Sequence, residues 1–286
     1  MEVRSIGVCV KPDQPQLADS IRALTKWASE RSIEIVLDPE AGRWVGGPGA
    51  PRHELAARVE LIVVLGGDGT LLAVARAIGR RLVPILGVNL GALGFLAEID
   101  LAELFPTLEA VLADRFRIES RMRLEVSVDH DGSELARYLA LNDAVIAKTG
   151  VSRIIDLETR ADGFEVTTYH ADGLIVATPT GSSAYSLSAG GPLLLPSFEA
   201  VVLTPICSHT LTQRPLVLPA SCEIAIRVQD ARGDVVHLTV DGQVGRQLGE
   251  RDRVTVRRSE WPAQLLVPKD RNRFQVMRTK LRWGAR

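Results

Sequence analysis

Residues Leu61–Thr70 read LIVVLGGDGT, and this stretch decides the fold of the first part of the chain. An apolar, β-branched run stops at Gly66-Gly67. One carboxylate follows at Asp68, and Gly69-Thr70 open the helically spaced run LLAVARAIG. The pattern is a buried strand, a glycine turn and a helix start. Paired glycines let backbone approach a ligand closely, and a helix N-terminus attracts phosphate. Gly66, Gly67, Gly69 and Thr70 are therefore the expected phosphate-donor loop. The bland reading of Asp68 is a helix cap. The sharper one starts from charge: an acid repels phosphate, so its task in such a loop is a metal ion or a hydroxyl proton. The loop points to phosphoryl transfer.

Outward from that loop, strands are expected at Val3–Val10, Ile33–Leu37, Leu61–Leu65 and Val83–Val88. Helices are expected at Leu17–Ser29, Leu71–Ile78 and Leu101–Leu112. The alternation predicts a parallel sheet covered on both faces, with ligands beyond the carboxyl ends of its strands. Pro39–Pro51, PEAGRWVGGPGAP, reads as an irregular connection or a flap over a nucleotide site. Near Phe116 the character changes to short alternating runs, among them Leu124–Val128, Tyr138–Ile146 and Leu174–Ala177, punctuated by Asp-Gly and Arg-Gly turns. That pattern predicts an all-β, sandwich-like domain with one helix near Ser182–Ala189. The expected division is an α/β domain over 1–115, a β domain over 116–269, and a helical tail at 270–286 packing back onto the first domain.

Composition narrows the function classes. The chain has 286 residues, 46% hydrophobic and 24% charged, with a net charge of −1. That balance gives no electrostatic case for nucleic acid or an anionic membrane surface. No apolar run approaches a membrane span, and Met1-Glu2-Val3-Arg4 leads into a strand-like segment rather than a signal peptide. Three scattered cysteines fit a reducing cytoplasm, and the five histidines lack zinc-ligand spacing, so no dedicated protein metal cage is expected.

Other motifs carry chemistry. No G-x-x-x-x-G-K-[ST] loop is present, and the glycines of Gly87–Gly94 do not match the G-x-G-x-x-G dinucleotide spacing. Asn142-Asp143 places a polar pair inside an apolar run, so it is either a strand irregularity or a reader of a base edge and a sugar hydroxyl. From Asp172 to Pro192 a strand feeds a Thr-Pro-Thr-Gly turn, a hydroxyl-rich helix start and a Gly-Gly-Pro stop. Ser182 or Ser183 could simply cap a helix, but the whole cluster, with the stacking face of Tyr185, suits a nucleotide. Asp241-Gly242-Gln243 reads as a hairpin turn.

Taken in order, GGDGT, LGALGF at Leu90–Phe95, Asn142-Asp143, Asp172–Pro192, PICSHTLTQRP at Pro205–Pro215, DGQ at Asp241–Gln243 and RTKLRW at Arg278–Trp283 resemble the NAD kinase family over nearly the whole chain. The resemblance implies two domains with NAD bound between them, and ATP-dependent phosphorylation of the 2′-hydroxyl of the adenosine ribose to give NADP. Asp68 matches the family's catalytic base, and Asp68 with Gly69 falls in its NAD site. Asn142 matches an adenine contact and Asp143 a ribose contact, with aspartate where other members carry glutamate. Ser183, Ala184, Tyr185, Ser186, Leu187 and Ser188 match the stretch that holds adenine and the nicotinamide-side ribose. Asp172 matches a nicotinamide-side contact. Arg153 and His170 align with positions that vary between basic residues. Gln243 matches a position that reaches a neighbouring subunit's site, implying a homodimer or homotetramer. Ser208 departs from the proline that often precedes the histidine. Magnesium or another divalent cation is expected to arrive on ATP. Two rivals remain: a diacylglycerol-type lipid kinase sharing GGDGT, which needs an apolar acceptor groove, and a non-catalytic NAD(P)-binding protein, which would bind without turnover.

Overall fold

The computed structural model describes residues 2–91, 94–150, 154–210, 212–231, 233, 235–249, 251–269 and 272–282. The chain divides into two compact units, Met1–Ser120 with Ala263–Arg286, and Arg121–Pro262.

The first unit is built on a sheet ordered Glu34–Leu37, Ser5–Val10, Leu61–Leu65, Ile85–Asn89, Ala263–Pro268 and Phe116–Arg121, with Ile99–Asp100 paired beside Ile85–Asn89. Ser5–Val10 runs parallel to both of its neighbours, and Leu61–Leu65 runs parallel to Ile85–Asn89. Every residue of Ser5–Val10, Leu61–Leu65 and Ile85–Asn89 is buried, as strands covered on both faces require. Helix Ala18–Ser29 buries Ile21, Leu24, Trp27 and Ala28, a single stripe at helical spacing. The Trp27 indole donates to Glu109 at 2.7 Å, tying this helix to helix Leu104–Leu112. The strand order reverses between Ser5–Val10 and Leu61–Leu65. The GGDGT loop therefore leaves the sheet at a topological switch point, where such folds bind ligands.

Two sequence expectations change here. Phe116–Arg121 and Ala263–Pro268 complete the first sheet, so the units divide at 120/121 and 262/263 rather than at 115/116 and 269/270. Pro39–Pro51 is not irregular throughout: its first half is a helix. Asp38 caps helix Pro39–Val45 by accepting from the Ala41 N–H at 2.9 Å, and Gly46 ends it in the left-handed region. Asp38-Pro39 was a cap followed by a proline at the first helical position, a start signal outweighed by the glycines. The tail helix is Arg273–Leu281, and its Lys280 ammonium lies 6.0 Å from the centre of the Phe95 ring.

The second unit is a sandwich of two six-stranded sheets. One runs Phe164–Ala171, Ile155–Ala161, Ile224–Asp230, Asp252–Arg258, Leu124–His130, Ser133–Ala140. The other runs Leu216–Pro219, Ala200–Ile206, Gly173–Ala177, Asp143–Lys148, Val236–Val240, Val244–Leu248. Their inner faces share one core. Leu124, Val126, Leu157 and Ile226 come from the first sheet and Ile146, Leu174, Leu203 and Leu238 from the second. The expected single run Tyr138–Ile146 is two strands, one in each sheet, and the chain changes sheet at Leu141-Asn142. The expected helix at Ser182–Ala189 is a 3-10 turn, Gly181–Ser183, and a one-turn helix, Tyr185–Ser188, broken at Ala184 with φ −102° and ψ −128°.

Candidate functional site

Gly67 is the N-cap of helix Asp68–Ala77, and Asp68 is its first residue. The Asp68 carboxylate does not cap that helix. It accepts the N–H groups of Phe95 on Oδ2 at 2.9 Å and of Leu96 and Ala97 on Oδ1 at 3.1 and 3.0 Å. A carboxylate offers about four acceptor directions. Oδ1 is thus filled by two donors, while Oδ2 carries one among the described residues and keeps another direction open. The side chain is half-buried. Gly94 makes the arrangement possible: a Cβ there would stand 2.0 Å from Asp68 Oδ1. Gly66 is likewise closed against the side chain of the buried Thr70, whereas a Cβ on Gly67 would meet open space.

In the second unit, Asn142, Asp143, Val145, Ala184, Tyr185, Thr239, Asp241 and Gly242 line a cavity of about 370 Å³. Asn142 and Asp143 stand where the chain leaves one sheet for the other, and that corner is held from two sides. Asp241 Oδ2 accepts the Leu141 N–H at 3.0 Å, and its Oδ1 accepts those of Asn142 and Asp143 at 2.7 and 3.2 Å. The Thr178 hydroxyl donates to the Leu141 carbonyl at 2.7 Å, and the Thr178 N–H to the Asn142 carbonyl at 2.8 Å. Gly181 packs against the same carbonyl, where a Cβ would approach to 2.1 Å. Asp241 and Gly242 both have positive φ, 51° and 66°, as a tight hairpin turn between Val236–Val240 and Val244–Leu248 requires.

Electrostatics sharpen the cavity. Asp143 is 4% exposed, and burial, then the charge of Asp241, pushes its carboxyl up to about 7. The buried Arg123 guanidinium is lowered to about 10 by burial, against the attraction of Asp241. The half-exposed Tyr185 ring supplies a wall of the cavity.

The remaining candidates are placed as follows. The Ser183 hydroxyl donates to the Thr180 carbonyl at 3.1 Å. Ser186 is fully buried, with its hydroxyl 2.8 Å from that of Thr204. Leu187 is half-buried and Ser188 exposed on the one-turn helix. Asp172 pairs with Lys148 at 2.9 Å, and the His170 ring with Asp156 at 2.6 Å. Gln243 is exposed in the hairpin turn. Arg153 lies outside the described residues, as do Ala92 and Leu93 of LGALGF and Trp283 of the tail motif. Thr239 is not singled out by sequence reasoning; Asp241, Gly94, Thr178 and Gly181 lie inside quoted motifs, but a turn aspartate, a turn threonine and loop glycines give no sign of a distant partner.

Among the described residues, no group of three or more His, Cys, Asp or Glu side chains is arranged to hold a metal ion, and no helix is long and apolar enough to cross a membrane. The single carboxylate of the GGDGT loop is committed to three backbone donors, a poor start for a protein-built cage.

Two family models match the chain: the ATP-NAD kinase N-terminal domain over residues 49–116 and the ATP-NAD kinase C-terminal domain over 141–267. The NAD kinase of Geobacter sulfurreducens is 46% identical over 285 residues, covering 99% of this chain and 100% of the relative. The NAD kinase of Solibacter usitatus is 44% identical over 287 residues, covering 99% of each. Among solved structures, yeast NADH kinase complexed with NADH matches with a TM-score of 0.91 at 27% identity, over 100% of this chain and 89% of that one. An NAD kinase from Archaeoglobus fulgidus in complex with ATP matches with a TM-score of 0.77 at 26% identity, over 97% and 98%.

Proposed function

The chain belongs to the NAD kinase family, and from that premise we propose that it transfers the γ-phosphoryl group of ATP to the 2′-hydroxyl of the adenosine ribose of NAD, making NADP. The observation that carries this reading is the Asp68 carboxylate, fixed by three backbone donors yet with one direction open on Oδ2. A ribose hydroxyl is a weak nucleophile until a base is aligned with it and the donor phosphate is neutralised. The 2′-hydroxyl donates to Oδ2 of Asp68 and gives up its proton there as its oxygen bonds to the γ-phosphorus. The bond from that phosphorus to the β-phosphate bridge breaks, and ADP leaves. The glycines Gly66, Gly67 and Gly69, with Thr70 and the first helical turn, form the donor-phosphate loop.

Asn142, Asp143, Ala184 and Tyr185 form the nucleoside pocket, with Tyr185 offering a stacking face. Ser183 and Ser188, with Asp172, extend the NAD site toward nicotinamide, and Leu187 and His170 belong to the same site. Ser186 supports that segment from below through Thr204. A divalent cation, magnesium first, arrives on ATP and supplies neutralisation of phosphate charge. Gln243 serves a neighbouring subunit, so the working assembly is a homodimer or homotetramer. The free thiols Cys9, Cys207 and Cys222 suit the cytoplasm.

The test is direct. Purified full-length protein with NAD, ATP and Mg²⁺ should yield NADP, read by an NADP-specific dehydrogenase. NADH, inorganic polyphosphate and diacylglycerol provide parallel arms. Phosphorylation of diacylglycerol without NADP formation would overturn the assignment, and saturable NAD(P) binding without turnover would reduce the protein to a binding module.

A further inference from the structure

Asp241 belongs to a hairpin turn, is 7% exposed, and sits 98 to 100 positions along the chain from the three residues whose N–H groups it accepts. An ordinary turn aspartate bonds its own neighbours. This one holds the corner at which the chain changes sheet, and its own N–H returns a bond to the Asp143 carbonyl at 2.9 Å. The three N–H groups lie on consecutive residues, and the carboxylate accepts all of them in the 2.7–3.2 Å range. Without it, that buried backbone would have to find other acceptors. Resting on the NAD kinase reading above, we infer that Asp241 is a positioning residue of the nucleoside pocket, its carboxylate fixing the Leu141–Asp143 backbone so that Asn142 and Asp143 meet the adenosine moiety in one orientation.

Its charge has a second effect. Among the described residues, the charges that act on this corner include Asp143, Asp241 and the buried Arg123. Asp241 adds to burial in keeping the Asp143 carboxyl protonated up to about pH 7. In that state Asp143 both donates to and accepts from a sugar hydroxyl, whereas the ionised form only accepts.

The experiment uses the full-length enzyme and compares Asp241→Asn with Thr178→Val. Asparagine presents one acceptor oxygen in place of two and carries no charge. Asp241→Asn should raise KM for NAD about tenfold or more, the scale of a lost charge-assisted bond, while kcat changes less than about threefold. It should also move the near-neutral limb of the NAD-affinity pH profile toward acid, because removing a negative neighbour lowers the Asp143 pKa. Thr178→Val removes a neutral hydrogen bond to the same corner and should raise KM without moving that limb. An Asp241→Asn enzyme with wild-type KM overturns the inference, as does one whose pH limb stays in place. Should that variant not fold, Asp241→Glu, which keeps the charge but moves the carboxylate, decides: a raised KM for NAD with the pH limb in place supports the inference, and a wild-type KM overturns it. Failure of the wild type to make NADP would instead sink the functional reading, and NAD binding by calorimetry would still report on Asp241.

Discussion

Asp68 in the first unit and Asp241 in the second are held by one hydrogen-bond pattern. Each accepts three consecutive backbone N–H groups, the first on Oδ2 and the next two on Oδ1, from Phe95–Ala97 and from Leu141–Asp143 respectively. They differ in burial and in what surrounds the remaining acceptor. Asp241 is 7% exposed and its charge lies beside Asp143 and Arg123, so its effect falls on the backbone it grips and on the carboxyl next to it. Asp68 is half-buried at the head of a helix after two glycines, so the clamp fixes it while leaving a direction open to a substrate. For the base and the positioning residue proposed above, the number of hydrogen bonds does not separate the two; access to the last lone pair does.

The largest expected effect breaks the comparison at Asp68. Asp68→Asn should lower kcat by about 10²- to 10⁴-fold, the usual worth of a positioned general base, with NAD still bound. A variant that turns over at the wild-type rate would leave both aspartates as scaffolds. Gly94→Ala comes next. Its Cβ would stand 2.0 Å from Asp68 Oδ1, so the carboxylate must move, and a shift on the order of 1 Å costs about 10²-fold in rate. Gly91→Ala, where a Cβ meets nothing within 4 Å, is the control and should lose little. Equal rates for the two alanine variants would contradict a tight clamp.

Much of this was legible in the sequence, and the reason lies in range. LIVVLGGDGT announces strand, turn and helix through neighbours alone, and the structure places each where the pattern does. The alternating runs gave the sandwich because period-two burial is local. What stayed hidden depends on partners far away. Tyr138–Ile146 reads as one strand because nothing local reveals that the N–H groups of Leu141–Asp143 turn to Asp241. Asp241-Gly242 carries an unmistakable turn signature, which masks its second task. Ser182 and Ser186 look like ligand hydroxyls in a row of hydroxyls, yet both are fully buried. Ser182 donates to the Pro179 carbonyl at 2.6 Å and Ser186 pairs with Thr204.

A smaller effect is expected at Gly181, which meets the Asn142 carbonyl whereas Asp241 takes the Asn142 N–H. Gly181→Ala would bring a Cβ within 2.1 Å of the Asn142 carbonyl oxygen. Overpacking of this kind costs about 1–3 kcal/mol. The melting temperature should fall and KM for NAD should rise, with the Asp143 limb of the pH profile unmoved because no charge changes. A limb that shifts would mean that backbone position, rather than the Asp241 charge, sets the proton on Asp143.

The smallest effect isolates that proton in the absence of ligand. Asp143 has an ordinary carboxyl value of 3.8 when unfolded and about 7 in the folded chain. Between those values the folded state binds the extra proton, so stability falls as pH rises. The contribution is fully present below the unfolded value and is lost as pH passes through the folded one. From pH 6 to pH 8 the unfolded carboxyl is already ionised while the folded one gives up its proton, a loss of about 1.4 kcal/mol. Denaturant unfolding of the wild type across that range should show this decline, and Asp143→Asn, which has no proton to lose, should flatten it. Parallel curves for the two proteins would place Asp143 in water-like surroundings, and the contrast between a buried corner in the second unit and an accessible acid in the first would collapse.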